Sequence, residues 1–253
     1  MKMLKLSLVS VSLGLLVACG GGGGGGSSSS DTKPITPQAT KSIDLVREDL
    51  KDKVRELKTI KLNDGTVLDV AAHPMGIIEQ NNVMGGKLRG LNGAYFLSGV
   101  WLPNGLKTDR DHGFITDTNG YQVDARFAAL VTKPNEIPTS GVATYQGESL
   151  GAVTRGKMTM NVDFANKTLE GRIYDRQFDS GKKLTDIQLA KGNIVQGNDG
   201  MGFRGNATYA GHQGEYAGSF AGPNAEELSG IVGSQALDVE VYETFGGARG
   251  EIK

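Results

Sequence analysis

Short segments of alternating apolar and polar residues fill the C-terminal half of the chain. In one of them Met158, Met160 and Val162 lie on one side, while Thr159 and Asn161 lie on the other. Because successive side chains of a strand point to opposite faces, this period of two predicts a half-buried β-strand. Eight such segments are separated by glycine, asparagine and aspartate, near 141–148, 156–164, 168–174, 184–191, 200–209, 214–221, 228–235 and 239–249. An even number of strands with short connections predicts an up-and-down antiparallel barrel.

Large and small residues alternate along the expected inner face of this barrel. The alternation runs through Phe203, Gly205, Ala207 and Tyr209, and then through Tyr216, Gly218 and Phe220. A narrow barrel of about eight strands fills its interior with side chains in this way. We therefore expect a packed interior, with any ligand bound on loops or on the preceding domain. The strands are too short and too polar to form the lipid-facing band of a transmembrane barrel.

Residues 42–138 show a different pattern. Apolar residues recur at steps of three and four at Ile43, Val46, Leu50, Val54 and Leu57, which predicts an amphipathic helix. A hairpin is expected over 60–70 around Asn63-Asp64-Gly65, because these residues tolerate the positive φ of tight turns. Strands are expected near 94–102 and 122–131, and the loop 133–138, with two prolines, marks a domain boundary. The chain is therefore expected to be mainly β, with a handle-like domain at 42–138 and a barrel domain at 139–253.

The first 18 residues have the parts of an export signal. Lys2 and Lys5 form a basic start, an apolar run extends from Leu6 to Val17, and the small Ala18 ends it. This run is too short to span a bilayer as a helix. The following Cys19, the only cysteine of the chain, completes a Leu-Val-Ala-Cys sequence that resembles the lipobox of bacterial lipoproteins. We expect lipidation of Cys19 and attachment to a membrane through the lipid alone.

A low-complexity leash follows the lipidation site. Residues 20–26 are glycine, residues 27–30 are serine, and the segment to residue 41 lacks an apolar period, so 19–41 is expected to be disordered. Gly20, rather than aspartate, resembles lipoproteins that are sent to the outer membrane. Without Lys2 and Lys5, the 27 basic residues become 25 against 28 acidic residues. Such a balance does not favour nucleic acid as a partner, because nucleic acid requires clustered positive charge.

One stretch of the barrel domain resembles a known family. Gly214-Glu215-Tyr216-Ala217-Gly218-Ser219-Phe220 is followed by Ala221-Gly222-Pro223-Asn224-Ala225-Glu226-Glu227-Leu228, and this run is similar to the barrel of transferrin-binding protein B. The resemblance covers about 113 of the 253 residues. Within it, we expect residues 225–228 to form one helical turn, and Glu226 and Glu227 to lie in a solvated turn.

The resemblance implies a ligand-binding role. The family includes surface lipoproteins such as transferrin-binding protein B, factor H binding protein, the heparin-binding antigen and the haem-capturing hemophilins. The leading hypothesis is therefore a non-enzymatic surface lipoprotein that binds a host or environmental protein, of the iron-carrier or complement-regulator type. A structural lipoprotein that faces the periplasm remains an alternative. No Gly-x-Ser-x-Gly elbow is present to suggest hydrolysis.

A haem carrier is a further alternative. His73 and His112 fall in expected loops of the handle, and a haem iron needs one or two such axial ligands beside an aromatic slot. Phe96, Trp101, Phe114 and Tyr121 are candidates for that slot. His212 is expected to be a solvated residue of a hairpin turn, and no metal-ligand spacing links the three histidines. No cofactor other than haem is suggested.

Overall fold

The computed structural model describes residues 40–61, 65–83, 85–103, 107–109, 114–116, 124–233 and 243–253. The signal peptide at 1–18, the lipidation site Cys19 and the leash to residue 39 lie outside the described residues. His112 and Tyr121 also lie outside them. The assignments made for these residues from the sequence stay predictions.

The handle begins with a short helical segment and a small hairpin. Two 3-10 turns, Ser42–Leu45 and Glu48–Leu50, lead into the helix α1 (Lys51–Leu57). The strands β1 (Thr59–Lys61) and β2 (Val67–Asp69) pair in antiparallel fashion, as the hairpin prediction required. A further 3-10 turn, Val70–Ala72, leads to the main sheet of the handle.

The prediction of a continuous amphipathic helix from Ile43 to Leu57 is wrong for its first half. Val46 and Arg47 are extended between the two 3-10 turns, and only the last seven residues form an α-helix. The backbone in this half bonds to other elements: the Ser42 amide donates to the His73 carbonyl, and the Arg47 amide donates to the Tyr95 hydroxyl. These tertiary bonds replace the helical ones, while Ile43, Val46 and Val54 still reach the core.

A four-stranded antiparallel sheet forms the centre of the handle. Its order is β3 (Gly76–Val83), β4 (Gly86–Asn92), β5 (Phe96–Pro103) and β8 (Asp124–Ala129). A separate two-stranded sheet contains β6 (Lys107–Asp109) and β7 (Phe114–Thr116). One face of the main sheet packs on the hairpin through Leu88 and Leu97, and the opposite face packs through Leu91 and Phe96 toward the barrel residue Leu150.

The C-terminal domain is a closed eight-stranded antiparallel barrel, as predicted. Its strands are β9 (Val142–Gly151), β10 (Thr154–Asp163), β11 (Thr168–Phe178), β12 (Ile187–Gln196), β13 (Met201–Tyr209), β14 (His212–Ala221), β15 (Glu227–Gly233) and β16 (Glu243–Arg249). Each strand pairs with the next along the chain, and β16 closes the barrel against β9. His212 lies exposed beside the tight turn Ala210-Gly211, as expected.

The barrel interior is filled by aromatic and aliphatic side chains. Phe220 is fully buried, and its ring centroid lies 5.5 Å from that of Phe203 and 6.0 Å from that of Tyr145. The Tyr216 hydroxyl donates at 2.7 Å to the carbonyl of Ala190 on β12, two strands away in the barrel. The Phe203 ring packs over Gly218, where an added Cβ would lie only 2.3 Å from the ring. A large residue thus faces a small one, as the sequence predicted.

The linker between the two domains closes one end of the barrel. The Thr132 amide donates to the Phe220 carbonyl, and its carbonyl accepts from the Met201 amide. Ile137 packs against the barrel core from the loop that follows. We call this the linker end; the opposite end, which contains the β13–β14 turn and the last residues of β15, is called the open end.

The turn between β14 and β15 differs from the helical turn expected at 225–228. Ala225 adopts a φ of +53° and is fully buried, and β15 begins at Glu227. The Ala225 carbonyl accepts a hydrogen bond of 2.6 Å from the Tyr145 hydroxyl inside the barrel. This bond holds the turn over the linker end, in a conformation that is not helical.

Candidate functional site

A shallow apolar depression lies at the open end of the barrel. It holds only about 10 Å³, roughly the space of one water molecule, and is lined by Ile187, Ala207, Thr208, Tyr209, His212, Gly214, Val232 and Gly233. Sites for drug-sized ligands enclose roughly 300–1,000 Å³. The depression is therefore far too small to enclose a haem.

A buried ion pair lies inside the barrel near this end. Arg176 Nη2 is 2.6 Å from Glu243 Oε1, and each side chain is only 1% exposed. The Glu243 carboxylate also accepts hydrogen bonds from Thr154 at 2.7 Å and from Ser149 at 3.2 Å. The Arg176 guanidinium stacks over the Tyr209 ring at 4.7 Å, which links the pair to the rim of the depression.

The charges of this pair support one another. Burial alone disfavours the guanidinium, but the Glu243 carboxylate outweighs this effect and raises the pKa of Arg176. The three partners of this pair named above, Thr154, Ser149 and Tyr209, all come from the barrel itself. The pair therefore organises the open end of the barrel.

A second buried arginine fastens the handle to the barrel wall. Arg89 of β4 is 3% exposed and binds the carbonyl of Gly151 at 3.0 Å and that of Ala152 at 2.5 Å. Its guanidinium also pairs with Asp179 at 2.9 Å and with Glu79 of the handle at 2.8 Å. Arg89 thus joins β3 and β4 to two loops of the barrel.

The turn between β4 and β5 is held from both sides. From the barrel, the buried Glu227 carboxylate accepts the amides of Ala94 at 3.1 Å and Tyr95 at 2.9 Å. From the handle, Lys58 donates to the Gly93 carbonyl and to Asn92 Oδ1. The expectation that Glu227 lies in a solvated turn is therefore wrong, because the handle covers it. Glu226 is half-exposed and accepts the Asn224 amide at 2.8 Å.

The haem candidates are only partly brought together. His73 is half-exposed at the end of a 3-10 turn, and its carbonyl accepts from Asn92 and from the Ser42 amide. Phe96 and Trp101 lie on opposite faces of the handle sheet, one in the cluster toward the barrel and the other in the cluster beneath the hairpin. These two rings cannot line one slot beside His73. Within the described ranges, no three histidine, cysteine or acidic side chains are grouped to hold a metal ion.

The sequence reasoning missed the polar residues between the two domains. Lys58, Arg89 and Asn92 are polar residues in positions without a recognisable motif, and all three are buried. The only signal for Glu227 was its place in the Gly-Pro-Asn-Ala-Glu-Glu-Leu run. Among the described residues, no helix has the length and apolar character needed to cross a membrane.

Comparisons with known proteins agree with this architecture. The family model of the factor H binding protein C-terminal domain matches residues 135–232. Transferrin-binding protein B from Neisseria meningitidis is 16% identical, with a TM-score of 0.52 over 78% of this chain and 40% of its own. The haemoglobin receptor HpuA from Kingella denitrificans is 18% identical, with a TM-score of 0.51 over 77% of this chain and 76% of its own.

Transferrin-binding protein B from Haemophilus parasuis, solved as a variant, gives a TM-score of 0.52 at 16% identity, over 77% of this chain and 41% of its own. The chain thus spans about two fifths of the length of the transferrin-binding protein B structures. No curated protein sequence matches it significantly. At such low identity the solved structures establish the fold, and the family model adds the relationship in sequence. Residues 135–232 are therefore similar to the factor H binding protein C-terminal family, and the C-terminal domain has the transferrin-binding protein B-like barrel fold.

Proposed function

We propose that this protein is a non-enzymatic lipoprotein of the outer membrane that binds a host or environmental protein on its outer surface. The observation that carries the proposal is the filled barrel, whose core residues include six fully or almost fully buried aromatic rings: Tyr145, Phe164, Phe203, Tyr216, Phe220 and Phe245. A packed interior leaves the wall, the loops and the handle as the places for recognition.

The similar proteins support a macromolecular ligand. HpuA from Kingella denitrificans, which shares the fold, has been solved in complex with human haemoglobin. The matching family is defined by factor H binding protein. Carried over to this chain, these similarities favour a circulating host protein, either an iron carrier or a complement regulator.

The small depression at the open end is consistent with such a ligand. Its apolar rim of Ile187, Tyr209 and Val232 suits surface contact with an apolar side chain of a partner. Protein interfaces place apolar contacts of this kind near their centre. The polar strands around it would then form the outer part of the contact.

The binding test uses the mature chain from residue 19 with Cys19→Ser, so that it is purified without acyl chains. It is immobilised, and human haemoglobin, transferrin and factor H are passed over it at matched concentrations. We expect one of them to bind with a Kd below about 10 µM, in the range of specific protein complexes. An unrelated protein immobilised at the same density serves as a control for non-specific capture. Binding of none of them, together with an empty pull-down from whole serum, overturns the proposal.

Exposure on the cell is tested separately. Protease is added to intact cells that produce the lipidated protein, and loss of the band is followed by immunoblotting. We expect digestion without cell lysis, whereas the periplasm-facing alternative requires complete protection.

A further inference from the structure

Lys58 and Asn92 form a buried pair in the handle that the proposed function does not use. Lys58 follows α1, Asn92 ends β4, and neither residue is exposed at all. Lys58 Nζ lies 3.0 Å from Asn92 Oδ1. Because the amide carbon is one C=O bond of about 1.2 Å from that oxygen, the amine and the carbon lie at or just beyond van der Waals contact. An amine and a primary amide held this way can react if the amine is neutral and ammonia can leave.

The surroundings of the amide nitrogen favour its departure. Asn92 Nδ2 is within hydrogen-bond distance of three carbonyl oxygens, those of Val70 at 3.1 Å, His73 at 3.2 Å and Pro74 at 2.9 Å. An amide nitrogen carries only two hydrogens, so one of these acceptors is in excess. If this nitrogen is protonated as it leaves as ammonia, it carries three hydrogens. The three carbonyls thus match the leaving group better than they match the intact amide, which is the pattern of transition-state stabilisation.

The surroundings of the Lys58 amine favour its neutral, nucleophilic form. Burial disfavours the ammonium and lowers the pKa of Lys58 to about 7, although the carboxylates of Glu227 and Asp69 act in the opposite direction. A sizeable fraction of the amine is then neutral at physiological pH. Ser42 Oγ, 3.2 Å from Nζ, uses its own hydrogen toward the Ala71 carbonyl and therefore accepts from the lysine. This hydrogen bond fixes the amine beside Asn92.

We propose that Lys58 and Asn92 become joined by an intramolecular isopeptide bond. The Nζ lone pair attacks Cγ of Asn92, the Cγ–Nδ2 bond breaks, and a proton from Nζ passes to the departing nitrogen. Amine and primary amide become a secondary amide and ammonia, so no oxidant, reductant or other co-reactant is required.

Such a bond would fasten the start of the folded chain. It joins two positions that lie 34 residues apart in sequence. The leash enters the handle at Lys41, and the segment from Lys41 to Lys58 packs on the sheet mainly through the 3-10 turns and α1. A covalent link at Lys58 would stop a pull from the membrane anchor from unravelling the chain beyond α1, at β1 and the segments that follow. It would also remove a buried charge from the handle core.

Mass spectrometry of the mature Cys19→Ser chain tests the bond directly. We expect the intact mass to lie about 17 Da, the mass of ammonia, below the value calculated from the sequence. Trypsin should then release the peptide 56–61 joined to the peptide 90–107, because the modified Lys58 is no longer a cleavage site. An intact mass equal to the calculated one, with both peptides free, overturns the proposal without any variant.

Two variants distinguish the bond from cyclisation at the Asn92-Gly93 sequence, which also releases ammonia. Lys58→Arg keeps a positive charge but has no amine to attack, so it should restore the calculated mass. Lys61→Arg, at an exposed position three residues away, should retain the loss and the joined peptides. A loss of about 17 Da that persists in Lys58→Arg shows cyclisation instead and contradicts the proposal. Circular dichroism of each variant checks that the fold is intact.

Discussion

Phe220→Ala tests the packing of the barrel. Phe220 is fully buried, and its ring contacts those of Phe203, Tyr145 and Phe164 at centroid distances of 5.5, 6.0 and 6.1 Å. Truncation of a buried phenylalanine costs about 3–5 kcal/mol, through lost transfer energy and the cavity that remains. The upper half of that range is expected here, because the surrounding rings belong to three different strands or turns and cannot all collapse into the gap.

Urea unfolding of the mature Cys19→Ser chain measures this cost, with tryptophan fluorescence for the handle and far-ultraviolet circular dichroism for the strands. Tyr174→Ala is the matched control, since Tyr174 is half-exposed on β11 and its ring lies beneath the Arg172 guanidinium, 4.7 Å away. The control should lose less than about 1 kcal/mol. If Phe220→Ala costs no more than Tyr174→Ala, the interior is not packed as described and a cavity must be considered again.

Three further predictions concern the interface, a carboxylate and the domain boundary. Arg89→Ala should lower the free energy of unfolding by about 1–3 kcal/mol, because two carbonyl groups lose their donor, and should make the urea transition biphasic. Lys87→Ala is the control, because Lys87 lies on the same strand and also pairs with Glu79, and it should lower the free energy of unfolding by less than about 0.5 kcal/mol. Burial raises the pKa of Glu148 above its unfolded value, so the native state loses stability as pH rises through that pKa and the carboxyl ionises. Glu148→Gln should therefore raise Tm relative to the parent at pH 7 and leave it unchanged near pH 3.5. An equal gain in Tm at both pH values contradicts this reasoning. Residues 130–253 and residues 139–253, each expressed alone, should both unfold in a cooperative thermal transition, and the longer fragment should have the higher Tm because Thr132 and Ile137 close the linker end. Residues 31–138 alone should show no cooperative transition. A lower Tm for the longer barrel fragment would count against this role of the linker.

The barrel could be predicted from the sequence because each strand carries its own signal. The alternation at Met158, Met160 and Val162 corresponds to residues that are fully buried in the structure. The prediction was poorest at β12, expected over 184–191 and found at Ile187–Gln196. An irregularity between Leu189 and Asn193 shifts the register there, and the alternation resumes in the opposite phase, with Gly192 and Ile194 buried.

The handle was predicted less well because tertiary contacts decide its local structure. The helical spacing of Ile43, Val46 and Val54 correctly identified buried residues but not their backbone conformation. The roles of Arg89 and Lys58 had no local signal, because a lone basic residue in a strand or after a helix is normally solvated. Their burial depends on acceptors at Ala152 and Gly93, which are distant in sequence and contribute only carbonyl oxygens. Backbone acceptors leave no trace in side-chain patterns.

The chemistry of the interface bears on how the protein can bind a ligand. Separation of the handle from the barrel would leave the Glu227 carboxylate without the Ala94 and Tyr95 amides, and Arg89 without two of its carbonyl acceptors. Breaking a buried charged contact costs several kcal/mol unless water replaces the lost partners, so the two domains are expected to move as one body. A surface that spans handle and barrel is then preorganised, and a ligand that contacts both loses little free energy to ordering them. The handle therefore contributes to binding by its fixed position as well as by its own side chains.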